Sequence, residues 1–170
     1  MSKFWNETVN KIEPYVPGEQ PRDKKYVKLN TNENPYPPSK KVLEAVKNSA
    51  NEDLRLYPDP LCTELNETIA NFYGLDKDNI FLGNGSDEVL ALTFLTFFNG
   101  SDPVLFPNIS YSFYPVYCDL YQMNYKEIIL DQDFKMYVED FKQPNSGIIF
   151  PNPNAPTGVL VDLEFIETVL

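Results

Sequence analysis

Residues 79–98 constrain the fold most, because they join an apolar run, two glycines and a long apolar segment: Asn-Ile-Phe-Leu-Gly-Asn-Gly-Ser-Asp-Glu-Val-Leu-Ala-Leu-Thr-Phe-Leu-Thr-Phe-Phe. Residues 80–82 predict a short strand, and the glycines that follow predict a sharp turn. Ser86 or Asp87 is then expected to cap a helix. Since this helix is apolar on nearly every face, we expect it to be buried.

A strand, a glycine turn and a capped helix together form a candidate anion site. The free N–H groups of the first helical turn and the positive end of the helix dipole face the space above the glycines. Gly85, Ser86 and Asp87 are therefore candidate phosphate-binding residues, although a capped turn without a ligand fits this pattern equally well. The carboxylate of Asp87 would repel an anion, so it fits better as the helix cap or beside a cationic nitrogen of the ligand.

The composition excludes several function classes. The 170 residues carry a formal net charge of −11, which argues against nucleic acid or an anionic membrane as a partner. There is no histidine, so catalytic triads and metal sites that use histidine are excluded.

The two cysteines and the start of the chain predict a cytoplasmic protein. Cys62 and Cys118 lie far apart in sequence, which is typical of two buried thiols in a reducing compartment. The first residues lack the apolar core of a signal peptide. The longest apolar run, at 89–98, is too short to cross a membrane.

Strands and helices alternate along the chain, which predicts an α/β domain with a mainly parallel sheet. The predicted strands are 80–82, 103–106, 124–130 and 147–150, and the predicted helices are 39–50, 61–73, 112–122 and one from Asp162. Ligands of such sheets bind beyond the carboxyl ends of the strands. Three loops follow predicted strands, so we expect them to share one edge of the sheet: Gly83–Asp87, Pro107–Tyr111 and Asn152–Gly158.

The second and third of these loops offer further contacts to a ligand. Tyr111 offers a flat ring, although core packing is the more ordinary explanation for one tyrosine among eleven. The loop from Asn152 to Gly158 carries two side-chain amides on a backbone stiffened by prolines, which suits either an aimed hydrogen bond or a rigid turn. The polar loop at 30–38 fits a surface connection better than the wall of a site.

Five stretches occur in a characteristic order: Leu-Asn-Thr-Asn-Glu-Asn-Pro (29–35), Tyr-Pro-Asp (57–59), Gly-Ser-Asp-Glu (85–88), the Tyr111 loop and Asn-Pro-Asn-Ala-Pro-Thr-Gly (152–158). Together they resemble the histidinol-phosphate aminotransferases, which are fold-type I enzymes dependent on pyridoxal 5'-phosphate (PLP). The resemblance covers nearly the whole chain. It implies the large domain of an aspartate aminotransferase-like fold, incomplete over 39–170 and preceded by an arm at 1–38. The chain ends inside the last predicted helix, so we expect it to be an N-terminal half.

The resemblance implies roles for the first two sheet-edge loops. Gly85, Ser86 and Asp87 would bind the phosphate of PLP at the helix N-terminus. Tyr111 would stack on the pyridine ring of the cofactor.

It also implies roles for an asparagine and for residues of the polar segments. Many relatives carry asparagine directly before Pro-Thr-Gly to bind the ring hydroxyl. This chain has Ala155 there, which leaves Asn154 as the nearby candidate. Tyr57 would reach the cofactor phosphate of the other subunit in a homodimer, while Tyr15 and Asn32 would help to enclose the substrate.

The implied reaction transfers an amino group between histidinol phosphate and 2-oxoglutarate, giving imidazole acetol phosphate and glutamate, in histidine biosynthesis. The family's Schiff-base lysine, its pyridinium-binding aspartate and its substrate-binding arginine would lie beyond Leu170, so we expect the chain alone to be inactive. Three alternatives stay open: another fold-type I aminotransferase, a decarboxylase of the threonine-phosphate type, and a non-catalytic PLP-fold binding domain.

Overall fold

The computed structural model describes residues 3–12, 16, 18–19, 21, 23–24, 26–98 and 100–170. Contacts divide the chain into two compact units, the first made of Met1–Glu13 with Gly83–Leu170 and the second of Pro14–Leu82. In the described part of the chain, no helix combines the length and the apolar character that crossing a bilayer requires.

A parallel sheet of three strands lies at the centre of the first unit. The strands are β1 (Val104–Pro107), β2 (Tyr125–Ile128) and β3 (Gly147–Ile148), in the spatial order β2-β1-β3. Val104 lies opposite Tyr125 in β2 and Gly147 in β3. Parallel neighbours need a crossover connection, which a helix provides between β1 and β2. The predicted α/β fold with a parallel sheet is therefore confirmed.

Helices cover both faces of this sheet. They are α4 (Ser86–Phe97), α5 (Tyr114–Tyr121), α6 (Val138–Phe141) and α7 (Leu163–Val169); a short helix, α1 (Glu7–Lys11), lies on α5. Helix α5 packs against α1 and α4, and α6 packs against α7. The predicted helices at 112–122 and from Asp162 are confirmed, whereas no helix was predicted at the position of α6.

The central strand β1 is buried at all four positions, as expected for a parallel strand covered on both faces. Successive side chains of a strand point to opposite faces, so Val104 and Phe106 enter one apolar cluster and Leu105 enters another. The first cluster also contains Phe94, Tyr114, Tyr117 and Cys118, and the second contains Ile128, Leu130, Met136 and Phe141.

Helices are the regular elements in the described part of the second unit. It contains α2 (Lys40–Ser49), α3 (Thr63–Tyr73) and two 3₁₀ helices, Glu52–Arg55 and Lys77–Asn79, the latter packed against α3. The hydroxyl of Ser39 caps α2 by accepting from the N–H of Val42 at 3.3 Å. Gly74, at a φ of +67°, ends α3. The helices predicted at 39–50 and 61–73 are confirmed.

The expected strand at 80–82 and the expected full burial of the following helix are both wrong. Residues 80–82 are not a strand, because no strand of the described chain pairs with them; instead the carbonyl of Ile80 accepts from the amide of Asn66 at 3.2 Å. Helix α4 is not buried all round. Phe94 is fully buried, but Leu95 is 54% and Phe97 is 69% exposed, since the described neighbours of α4 cover only part of its surface.

The expectation of two buried thiols is wrong for one cysteine. Cys118 lies in the first core cluster, but Cys62 is exposed, at the start of α3 with a φ of +48°. Neither cysteine forms a disulfide.

Candidate functional site

Two of the predicted loops follow β1 and β3 at the same edge of the sheet, and the side chain of Asn154 joins them. Its Nδ2 donates to the carbonyl of Ile109 at 2.9 Å and to Oγ1 of Thr157 at 3.0 Å. Its Oδ1 accepts from the hydroxyl of Ser110 at 3.0 Å. Asn154 is 1% exposed, so its partners replace water completely. Both of its N–H groups are in use, and its oxygen has accepting capacity beyond Ser110.

The other amide of this loop, Asn152, has a different partner. Its Nδ2 donates to the carbonyl of Val161, and its Oδ1 accepts from the N–H of Val161, each at 3.0 Å. Between Asn152 and Val161, Gly158 turns the chain at a φ of +74°, and its N–H donates to the carbonyl of Asn154 at 2.7 Å. The loop is therefore fixed by its own amides as well as by its prolines.

The remaining predicted loop, Gly83–Asp87, contacts the Tyr111 loop through the side chain of Asp87. The hydroxyl of Tyr111 donates a hydrogen bond to Oδ1 of Asp87. The hydroxyl of Tyr117, on α5, lies 3.2 Å from the carbonyl oxygen and 3.3 Å from Oδ1 of the same residue. The structure thus brings together Gly85, Ser86, Asp87, Tyr111 and Asn154.

The start of α4 is not capped by Ser86 or Asp87 as expected. The N-cap residue is Gly85, at φ +85° and ψ 171°, and it has no side chain to bond the first turn. The carboxylate of Glu88 turns back and accepts from Asn84, at 2.5 Å from its main-chain nitrogen and 3.2 Å from its Nδ2. The two acidic side chains of the first turn therefore have their own donors, and a helix N-terminus leaves its first N–H groups for a ligand.

The electrostatics of the cluster keep the Tyr117 phenol neutral. Burial, and then the negative charge of Asp87, raise the pKa of Tyr117 above its ordinary value. A neutral phenol remains a hydrogen-bond donor to the carboxylate over the whole physiological pH range. The ring of Tyr111 stacks on Phe113, with centroids 5.7 Å apart, and meets Tyr114 edge-on at 5.6 Å.

The remaining predicted residues lie elsewhere. Tyr57 and Asn32 belong to the second unit, where both side chains are exposed. Tyr15 lies outside the described residues. Ser110 and Tyr117 were not predicted as site residues. The one available signal for Tyr117 was its helical spacing from Tyr114, which indicates a shared face of α5 but not the contact with Asp87.

Comparisons with known proteins identify the family of the chain. Residues 24–170 match the family model "Aminotransferase class I and II". Curated histidinol-phosphate aminotransferases from Clostridium beijerinckii and from Clostridium botulinum strain Okra are 58% and 59% identical over all 170 residues. The chain spans about half the length of these relatives, 48% of each.

The fold also matches a solved structure, that of a candidate histidinol-phosphate aminotransferase from Erwinia carotovora atroseptica. The TM-score is 0.72 at 20% identity, and the match covers 82% of this chain and 42% of the other. At that identity the likeness concerns the fold alone. The family model covers residues 24–170 and the curated relatives match all 170 residues, so the chain belongs to the class I and II aminotransferases.

Proposed function

We propose that these 170 residues serve in a histidinol-phosphate aminotransferase that uses PLP to exchange an amino group between histidinol phosphate and 2-oxoglutarate. The observation that carries the proposal is the meeting of three loops through Asp87, Tyr111 and Asn154. The names of the curated relatives supply the substrate class.

The start of α4 fits the phosphate of PLP. A Cβ built on Gly85 would meet no other atom of the described residues within 4 Å, so the main chain is open to a ligand there. The helix dipole and the N–H groups of Ser86 and Asp87 favour an anion. The carboxylate of Asp87, which would otherwise oppose it, is engaged by Tyr111 and Tyr117.

The other two loops fit the ring of the cofactor. Tyr111 would lie against the ring, with its hydroxyl anchored on Asp87. Asn154 would meet the ring hydroxyl through its Oδ1, because its two N–H groups are committed to Ile109 and Thr157. When bound, PLP supplies an electron sink for the carbanion formed at the substrate.

The same proposal includes the rest of the enzyme. Tyr57 would bind the cofactor phosphate of the other subunit in a cytoplasmic homodimer, and Tyr15 and Asn32 would bind substrate. The exposure of Tyr57 and Asn32 leaves both side chains available for such contacts. Residues 1–38 would form the arm and 39–170 part of the large domain. The lysine that bonds PLP would come from the remaining half of the enzyme, since the curated relatives are about twice as long.

The reaction is tested on the protein that the complete gene encodes. Purified protein with PLP and 2-oxoglutarate should form glutamate from histidinol phosphate and much less from other donors, including phosphothreonine. Release of carbon dioxide from phosphothreonine, without amino transfer, would instead support the decarboxylase alternative. Absence of both reactions would favour a non-catalytic binding domain.

The 170-residue chain itself gives a second test. We expect it to bind PLP without a covalent bond, so borohydride reduction should leave its lysines unmodified. A single lysine labelled by PLP after reduction would contradict the assignment of that lysine to the other half of the enzyme.

A further inference from the structure

We propose that Tyr117 is a positioning residue of this site, which holds Asp87 so that its carboxylate stays engaged with Tyr111. The inference rests on the proposed function and gives a role to a residue outside all five motifs. Tyr117 itself would touch neither the cofactor nor the substrate, because its ring lies in the core and its hydroxyl ends on Asp87.

The contact fixes both the main chain and the side chain of Asp87. One hydroxyl proton is shared between the carbonyl oxygen at 3.2 Å and Oδ1 at 3.3 Å, and distances of this length are expected for a bond with two acceptors. Asp87 is in the first turn of α4, so Tyr117 ties the start of α4 to α5.

Packing determines where this hydroxyl lies. The side chain of Tyr117 is 5% exposed, and its ring contacts Phe94 of α4 with centroids 5.2 Å apart. A ring held on several sides has few rotamers, so its hydroxyl is a fixed point for Asp87.

The consequence for the cofactor is electrostatic. A carboxylate in the first turn of α4 opposes a phosphate bound at the same N–H groups, and donors on the carboxylate reduce that repulsion. Tyr117 and Tyr111 share this task on one oxygen, Oδ1. Without the Tyr117 hydroxyl, we expect an affinity for PLP about threefold to tenfold lower.

Tyr117→Phe tests the proposal, with Tyr114→Phe as the matched control. Tyr114 is also a buried phenol of α5, at 4% exposure, and its hydroxyl makes no hydrogen bond with the described residues. Apo-protein from the complete gene is titrated with PLP and with pyridoxal, which lacks the phosphate. Y117F should weaken PLP binding and leave pyridoxal binding nearly unchanged, whereas Y114F should change neither. Equal affinities of Y117F and Y114F for PLP would overturn the proposal.

A double-mutant cycle provides a readout without cofactor. Urea unfolding of the apo-protein is measured for wild type, Y117F, Asp87→Asn and the double variant. If Tyr117 acts through Asp87, the two single effects are not additive. Additive effects overturn the inference whether or not PLP binds. Failure of the wild-type protein to bind PLP would instead overturn the proposed function.

Discussion

The side chain of Asn154 donates a 2.9 Å hydrogen bond to the main-chain carbonyl of Ile109, forty-five residues away in sequence. This bond ties the loop after β3 to the loop after β1, two residues before Tyr111. Asn154 is therefore a connection between loops as well as a candidate cofactor ligand, and its structural part can be measured without cofactor.

Asn154→Ala should reduce the free energy of unfolding by about 2–4 kcal/mol, because it leaves the Ile109 carbonyl and the Ser110 hydroxyl without their partner. Asn152→Ala is the matched control in the same loop. It removes two exposed bonds to Val161 and should cost only about 1 kcal/mol. Urea unfolding followed by circular dichroism measures both, and equal losses would contradict the importance of the Asn154 connection.

Gly85→Ala should lower both stability and affinity for PLP. The backbone of Gly85, at φ +85° and ψ 171°, lies in a region that is nearly restricted to glycine, so a side chain costs about 1–3 kcal/mol even though the space is open. The start of α4 must then shift, and its N–H groups with it.

Gly74→Ala is the matched control for this change. Gly74 also has a positive φ, +67°, and open space around it, but it ends α3 in the second unit. Urea unfolding and PLP titration should show a loss of stability of about 1 kcal/mol and unchanged PLP affinity for G74A. A G85A protein that binds PLP as tightly as G74A would exclude the start of α4 as the phosphate site.

Local patterns were sufficient to predict much of the fold. The helices from Ser39 and Asp162 begin where a side-chain oxygen caps the first turn, and Gly74 ends α3, since each depends on neighbours in sequence. The strand predicted at 80–82 was wrong, because a strand also needs a neighbouring strand to pair with, and no local sequence pattern specifies that neighbour.

The candidate site could likewise be predicted only in part. The carboxyl-edge rule for parallel sheets placed the Tyr111 and Asn154 loops together, and bonds through Asn154 join them. The two hydrogen-bond donors of Asp87 were not predictable, because the hydroxyls of Tyr111 and Tyr117 contact Asp87 only through the packing of α5 on α4. The conflict between this carboxylate and an anion was evident from the sequence, whereas the hydroxyl donors that engage the carboxylate appear only in the tertiary structure.

The two cysteines should differ sharply in reactivity. Cys62 is exposed, while burial raises the pKa of the Cys118 thiol to about 12, so Cys118 has almost no thiolate at neutral pH. A disulfide reagent at pH 8 should label Cys62 in the native protein and Cys118 only after unfolding in urea. Peptide mass spectrometry identifies the labelled residue, and Cys62→Ser provides the control. Rapid native labelling of Cys118 would contradict the packing of α5 in the first core cluster.

Tyr117 should make the protein less stable at alkaline pH. Its pKa is raised in the folded state, so folding favours the neutral phenol; this stabilisation is complete below about pH 10, the ordinary pKa of the unfolded phenol, and is lost as the pH rises further. Between pH 9 and pH 11, ionisation of the Tyr117 phenol in the unfolded state should lower the free energy of unfolding by about 1 kcal/mol. Urea unfolding at both pH values should therefore show a smaller loss for Y117F than for the wild type. Tyr114 and Cys118 also have raised pKa values and contribute equally in both proteins, so their effects cancel in the comparison. Equal losses in the two proteins would mean that the Tyr117 phenol is not held neutral beside Asp87.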